Sequence, residues 1–265
     1  MRSEKRQEYI LQVAQRDSFI SISEAAEHLQ VSIETVRRDI NVLCGKNLLQ
    51  KARGGAIPVK LPIRKDPDYL LRIRQNQHEK IAIGNVAAAM IKDGSVVTMD
   101  GGATTYVFAT CLRDVRDVTF VVPSLSIATL LLEKIETGEI TGRVILFGGE
   151  ISNRNHSTYD LIALSAVDKY HFDIAFVSCS SLSAISVANS SVHGVFVRRL
   201  MDRSSFSVLL TDSEKLGKSS VYEFAKPTDF NHIITDNKHP MPADLKNILA
   251  ESDTHLTVVD CSQNI

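Results

Sequence analysis

Several protein classes are excluded by what this 265-residue chain lacks. Its four cysteines, Cys44, Cys111, Cys179 and Cys261, lie far apart, with no CxxC pair and no neighbouring histidine at ligand spacing. That argues against a disulfide framework or structural zinc and makes a reducing compartment the natural home. No uninterrupted apolar run reaches the ~18 residues that span a bilayer. The opening Met1-Arg2-Ser3-Glu4-Lys5-Arg6 is charged, without the apolar core of a signal peptide. A cytoplasmic protein without a membrane partner is expected. Strong net charge is also missing: the balance is −1. It is uneven, however, since residues 1–60 carry 10 Lys+Arg against 7 Asp+Glu and the remainder 20 against 24.

Enzyme motifs fail on inspection. Gly217-Lys218-Ser219 resembles the tail of a P-loop, but Asp212 stands where its first glycine is required. No G-x-S-x-G elbow surrounds a serine. His156, His171 and His193 lack zinc-protease spacing and read as surface or hydrogen-bonded side chains. Asp173, before a strand, is either a cap or a site member. No cofactor and no metal are expected.

What is present begins with three helical patterns. Residues 4–16 place Ile10, Val13 and Ala14 on one face. Ser21-Ile22-Ser23-Glu24 is a capping box opening a short second helix with Ala25, Ala26 and Leu29. After the turn Gln30-Val31-Ser32, Ser32 caps a third helix to about Leu43. Leu48–Lys51 and Ala56–Ile57 flank Arg53-Gly54-Gly55, a hairpin signal. The order is that of a winged helix-turn-helix over residues 1–57. On the third helix Val36, Ile40 and Leu43 must face inward, so Glu34, Arg37, Arg38 and Asn41 face out. Arginine and asparagine are the side chains that pair bidentately with guanine and adenine. Ser32 and Thr35 sit where a helix start meets phosphate, and Lys51 and Arg53 on the wing can reach backbone. Double-stranded operator DNA is the expected partner.

Residues 58–78, with Pro58, Pro62 and Pro67 among charges, read as a linker. From 79 to 265 apolar strands alternate with helices, implying an α/β domain with a mostly parallel sheet. Strands are expected at Ser95–Met99, Thr119–Val122, Arg143–Phe147, Ile174–Val177, Ser207–Leu210, His232–Thr235 and His255–Val259. Helices are expected at 79–91, 106–112, 126–137, 157–169, 192–203 and 242–250, and an irregular loop over the serine-rich Ser178–Ser191. Asp100-Gly101-Gly102-Ala103-Thr104-Thr105 follows a strand and precedes a helix, a pattern that turns amides and hydroxyls toward an anion. Ser124 and Gly148-Gly149-Glu150 also follow strands and should reach the same sheet edge. Lys215 would supply a point charge for phosphate.

Val31-Ser32-Ile33-Glu34-Thr35-Val36-Arg37-Arg38-Asp39-Ile40, followed by Leu43, Leu48 and Arg53-Gly54-Gly55-Ala56, resembles the helix-turn-helix of the DeoR family of bacterial regulators. The resemblance extends through Lys80-Ile81-Ala82, Asp93-Gly94, the 100–105 turn, Gly148-Gly149-Glu150, and Asp212 with Lys215. It implies a C-terminal sensor similar to ribose-phosphate isomerase and glucosamine-phosphate deaminase, a small phosphorylated sugar effector, and a homo-oligomer that regulates a carbohydrate operon as a repressor. Three positions depart from the family: Arg53 replaces histidine, Val122-Pro123 replaces Thr-Asn, and Ser178-Cys179-Ser180-Ser181 replaces a Gly-x-x-Gly loop. Two alternatives stand beside the regulator: a sugar-phosphate isomerase or deaminase with an accessory DNA-binding domain, using Asp100 or Glu150 as base, and a DNA-binding protein whose sensor only oligomerises.

Overall fold

The computed structural model describes residues 3–17, 19–45, 49–52, 54–58, 69–152 and 154–261. The chain separates into two compact units, 1–65 and 66–265.

The first unit holds α1 (Ser3–Asp17), β1 (Ile20–Ser21), α2 (Ile22–Leu29), α3 (Ile33–Gly45), β2 (Leu49–Ala52) and β3 (Gly55–Pro58). The strands form an antiparallel sheet in the order β1-β3-β2. Gly54, at φ +79°, makes the left-handed turn between β2 and β3. The expected caps form: the Glu24 amide donates to Ser21 Oγ at 3.4 Å and the Thr35 amide to Ser32 Oγ at 3.2 Å. Val36, Ile40 and Leu43 of α3 are buried with Ile10, Ala14, Ile20 and Leu49. Leu48, Arg53 and the prolines Pro62 and Pro67 of the expected linker lie outside the described residues.

Asp39 adds a tie that helical periodicity does not reveal. It is buried on α3 and accepts from Arg6 Nε at 2.7 Å, Gln7 Nε2 at 3.1 Å and Ser3 Oγ at 3.2 Å, all on α1. Burial pushes its pKa up, but the hydrogen bonds and the Arg6 charge outweigh this and hold it below the usual carboxylate value. Asp39→Ala is therefore expected to destabilise this unit by about 2–3 kcal/mol, read as faster hydrogen exchange in α1 and α3. Because the folded pKa is depressed, the contribution is complete above the unfolded pKa of about 3.9. It disappears as pH falls through the folded value, so wild type and Asp39→Asn should converge in acid.

The second unit opens with α4 (Tyr69–Arg74) and α5 (Gln77–Ala88). There follow β4 (Val96–Met99), α6 (Ala103–Cys111), β5 (Val118–Val122), α7 (Leu125–Glu136), β6 (Gly142–Leu146), β7 (Ile151–Ser152), β8 (Ser157–Thr158) and α8 (Leu161–Val167). The remainder is β9 (Ile174–Ser178), β10 (Ser181–Leu182), β11 (Val187–Asn189), α9 (Ser191–Asp202), β12 (Ser207–Leu210), β13 (Tyr222–Ala225), β14 (His232–Asp236), α10 (Ala243–Ala250) and β15 (His255–Val259). Seven strands make one parallel sheet in the order β15-β14-β12-β9-β4-β5-β6. Alternate residues serve opposite faces. Val97, Met99, Phe120, Phe176 and Leu210 pack with Ile83, Phe108 and Ile127 of α5, α6 and α7. Ala175, Val177, Leu209 and Ile233 pack with Val197 and Leu245 of α9 and α10 on the other side. The chain runs outward from β4 in one direction through β5 and β6, then returns to β9 and runs the other way. The β4–β9 pair is thus the switch point, where parallel sheets open a crevice beyond the strand ends.

Three expectations give way to tertiary contacts. Residues 69–74, expected as linker, are helical because Tyr69 is buried edge-on against Tyr106 and His156. The serine-rich loop contains β10 and β11, which pair with each other at the buried Leu182 and Val187, and β11 also pairs with β13. The helix expected at 157–169 starts only at Leu161, since Ser157 and Thr158 pair with β7 and Asp160 caps α8.

Candidate DNA interface and effector site

On α3 the structure leaves Glu34, Arg37, Arg38 and Asn41 exposed on one side, with Lys51 exposed on β2 and Ser32 at the helix start. Thr35 is half-buried and its hydroxyl lies 2.8 Å from that of Ser32. Arg37 and Glu34 form a loose exposed pair at 3.6 Å, a contact weak enough to yield to phosphate. Ile33, exposed at the same helix end, escaped the polar pattern. An apolar side chain there suits a thymine methyl group.

In the second unit the 100–105 turn lies at the switch point, but its groups divide into two sets. Asp100 is fully buried at the end of β4. Its carboxylate accepts from the Gly102 amide (3.1 Å), Thr105 Oγ1 (2.6 Å), the Ser178 amide (3.0 Å), Ser178 Oγ (2.9 Å) and His193 Nε2 (3.1 Å). It joins β4, α6, β9 and α9, so Asp100 and Thr105, read from sequence as ligand groups, hold the turn together instead. Burial raises the Asp100 pKa, but the His193 hydrogen bond and charge, with Thr105 and Ser178, bring it below the usual value. The Gly101 amide is also engaged, donating to the Tyr159 hydroxyl at 2.9 Å. The two glycines are demanded by close approach: a Cβ on Gly101 would lie 2.0 Å from Ser157 Oγ, and one on Gly102 2.0 Å from Ser178 Oγ.

The second set remains available. Ala103, Thr104 and Thr105 form the first turn of α6, whose amides have no acceptor within the helix. Lys215 Nζ reaches Thr104 Oγ1 at 3.3 Å and Asp212 Oδ2 at 3.0 Å. Burial lowers the Lys215 pKa, but Asp212 more than reverses this, so the ammonium keeps its charge. Lys80 stands nearby, pulled down to about 8 by burial and by Lys215. Lys80 and Lys215 thus stand as two cations around the buried carboxylate of Asp212, beside a helix N-terminus, an arrangement of the kind that can take an anion.

Other expected members make contacts of their own. Ser124 is buried and caps α7, accepting from the Ile127 amide at 3.3 Å. Gly148, Gly149 and Glu150 are exposed, and the Glu150 amide donates to Asp160 at 2.7 Å. That loop is fastened to the start of α8 through Asp160. Asp173 accepts from the Val96 amide at 2.7 Å and acts as a cap at the opposite end of β4. Sequence reasoning missed Tyr159, Tyr69 and Arg72, and left the partner of His193, expected as a surface or hydrogen-bonded side chain, unnamed, because long-range pairing alone gives them a place.

A family model described as the DeoR-like helix-turn-helix domain matches residues 6–60, and one described as the DeoR C terminal sensor domain matches residues 75–237. The chain belongs to the DeoR family. Among DeoR-family relatives, the transcriptional repressor AccR of Agrobacterium fabrum is 30% identical over 239 residues, covering 89% of this chain and 90% of its own. The HTH-type transcriptional repressor GlcR of Bacillus subtilis is 31% identical, covering 89% of each chain. The glycerol-3-phosphate regulon repressor of Escherichia coli is 25% identical, covering 98% of this chain and 100% of its own. Ribose 5-phosphate isomerase A of Methanocaldococcus jannaschii overlaps 53% of this chain and 55% of its own at 18% identity and a TM-score of 0.35. The chain is thus a DNA-binding transcription regulator with a sensor domain. Its departures from the DeoR pattern have local reasons. Pro123 has no amide to donate, but its carbonyl accepts from the Thr158 amide at 2.9 Å. Ser178 supplies the hydroxyl that Asp100 accepts. All four cysteines are free thiols, and no described helix is long and apolar enough to cross a membrane.

Proposed function

We propose that this regulator represses a carbohydrate operon and is controlled by a small phosphorylated sugar, whose phosphate binds at the N-terminus of α6. The observation that carries this reading is Lys215 Nζ at 3.3 Å from Thr104 Oγ1, beside free helix amides at the switch point. The names of the AccR, GlcR and glycerol-3-phosphate repressors support the sign, and the last of them supports a small phosphorylated compound. The protein acts in the cytoplasm as a homo-oligomer. Two copies would present their α3 helices to half-sites about one DNA turn apart. A ligand that changes operator affinity ~100-fold must prefer one arrangement by about 2.7 kcal/mol. The units 1–65 and 66–265 divide these tasks. An isomerase or deaminase reading loses its best base, because Asp100 is held by five donors.

The test is a nuclease footprint of the full chain on DNA upstream of its own gene, with and without glycerol 3-phosphate and hexose 6-phosphates. Protection that one of these removes supports the proposal; no protection even at low salt sinks it. Lys215→Met is expected to weaken sugar-phosphate binding by about tenfold or more while leaving the footprint of the free protein intact. Calorimetry on the purified variant checks this.

A further inference from the structure

Three buried side-chain polar atoms without a hydrogen-bond partner occur together at α4: Tyr69 Oη, Arg72 Nε and Asn155 Oδ1. The Tyr69 ring packs 5.6 Å from that of His156 and the Arg72 guanidinium lies 5.7 Å from the Tyr69 ring centre. Arg72 Nη2 also approaches the Arg154 carbonyl at 3.4 Å, which brings residues 154–156 against α4. Tyr69 is only 3% exposed. Burial and the Asp100 carboxylate raise its pKa, and the nearby Ser124 side chain opposes them, although the two hydroxyls do not meet in hydrogen-bond geometry. The phenol therefore keeps its proton and remains a donor. A buried hydroxyl, a buried guanidinium nitrogen and a buried amide oxygen left together without partners are costly, and native proteins keep such groups for a reason.

The site's two ends are linked. Lys80 Nζ donates to the Arg72 and Gln75 carbonyls, so it fastens the C-terminal end of α4 beside Asp212 and Lys215. Tyr69 meets Tyr106 one turn into α6, at a centroid distance of 6.2 Å. The α4 groups thus lie next to the phosphate position. They differ from it in chemistry: two donors and one neutral acceptor match sugar hydroxyls, each of which both accepts and donates.

We propose that Tyr69, Arg72 and Asn155 form the second half of the effector site and bind the hydroxyl-bearing part of a phosphorylated sugar. This rests on the reading of the α6 N-terminus as the phosphate position. The ligand then grips both α6 and α4, and α4 is the first described element after residues 59–68, which join the sensor to the DNA-binding unit.

The experiment compares the full-length wild type, Tyr69→Phe, Arg72→Met and Lys215→Met. Calorimetry measures inorganic phosphate, glycerol 3-phosphate, glucose 6-phosphate and fructose 6-phosphate, and thermal melting follows the free proteins. Wild type should bind at least one sugar phosphate about tenfold tighter than inorganic phosphate. Tyr69→Phe and Arg72→Met should each remove about fivefold or more of that advantage, leaving inorganic phosphate within about twofold. Free Tyr69→Phe should melt no lower than wild type, because it loses an unpaired hydroxyl and keeps the ring; a merely structural tyrosine would melt lower. If both α4 variants bind the sugar phosphate like wild type while Lys215→Met does not, the second half-site is refuted and the phosphate position survives. If wild type binds neither phosphate nor any sugar phosphate, both are refuted.

Discussion

Asp100→Ala is expected to destabilise the sensor unit by about 3–5 kcal/mol, the cost of stranding the partners of a buried ionised group. Five donors lose their acceptor at once: the Gly102 and Ser178 amides, the Thr105 and Ser178 hydroxyls, and His193. They come from the start of α6, from β9 and from α9, while Asp100 itself follows β4, so the loss opens the switch point where the sheet's two halves meet. For a unit of this size the melting temperature should fall by roughly 6–20 °C. Calorimetric melting reads it directly, and a variant that melts with wild type would show that the carboxylate does not hold the strand ends. Asp100→Asn, which keeps one oxygen acceptor, should fall between the two. The sign with pH follows from the depressed folded pKa. The stabilisation is complete above the unfolded value near 3.9 and is lost as pH falls through the folded one. This outcome differs from that expected of a ligand-binding carboxylate, whose removal would leave a stable but unresponsive protein.

The second large effect concerns Arg38. Its side chain is exposed on α3, so Arg38→Ala should change folding stability by no more than about 0.5 kcal/mol. Operator affinity should drop by about 1–3 kcal/mol for each recognition helix engaged. If two copies bind, the effect applies twice. A gel-shift titration at fixed salt measures it, and undiminished affinity would remove α3 from the groove. Arg38→Lys separates two modes of contact: a phosphate contact survives the exchange, whereas bidentate reading of guanine does not. Base substitutions in the operator should then matter less to the lysine variant than to wild type.

The candidate DNA-reading face was legible because its determinants are local. Val36, Ile40 and Leu43 recur at helical spacing, which forces Arg37, Arg38 and Asn41 outward whatever the rest of the chain does. The effector site was legible only in part. Strand-then-glycine patterns pointed to the 100–105 turn, yet the same pattern at Gly148-Gly149-Glu150 marks a loop held by Asp160. A turn motif shows that amides turn; it does not show which acceptor takes them.

Periodicity and capping residues by themselves determined the N-terminal helix-turn-helix, the alternation of strands with helices, and the exposed arginines. Each depends on neighbours within about two turns of helix or one strand length. Tertiary structure alone decided the fate of the polar groups. Thr104 meets Lys215, 111 positions away, and Asp100 meets Ser178 and His193, 78 and 93 positions away. Tyr69 leaves an apparent linker to pack against Tyr106. A buried polar atom must find a partner wherever the fold brings one within 3 Å or so. That choice is made by the sheet order, and no local spacing records it.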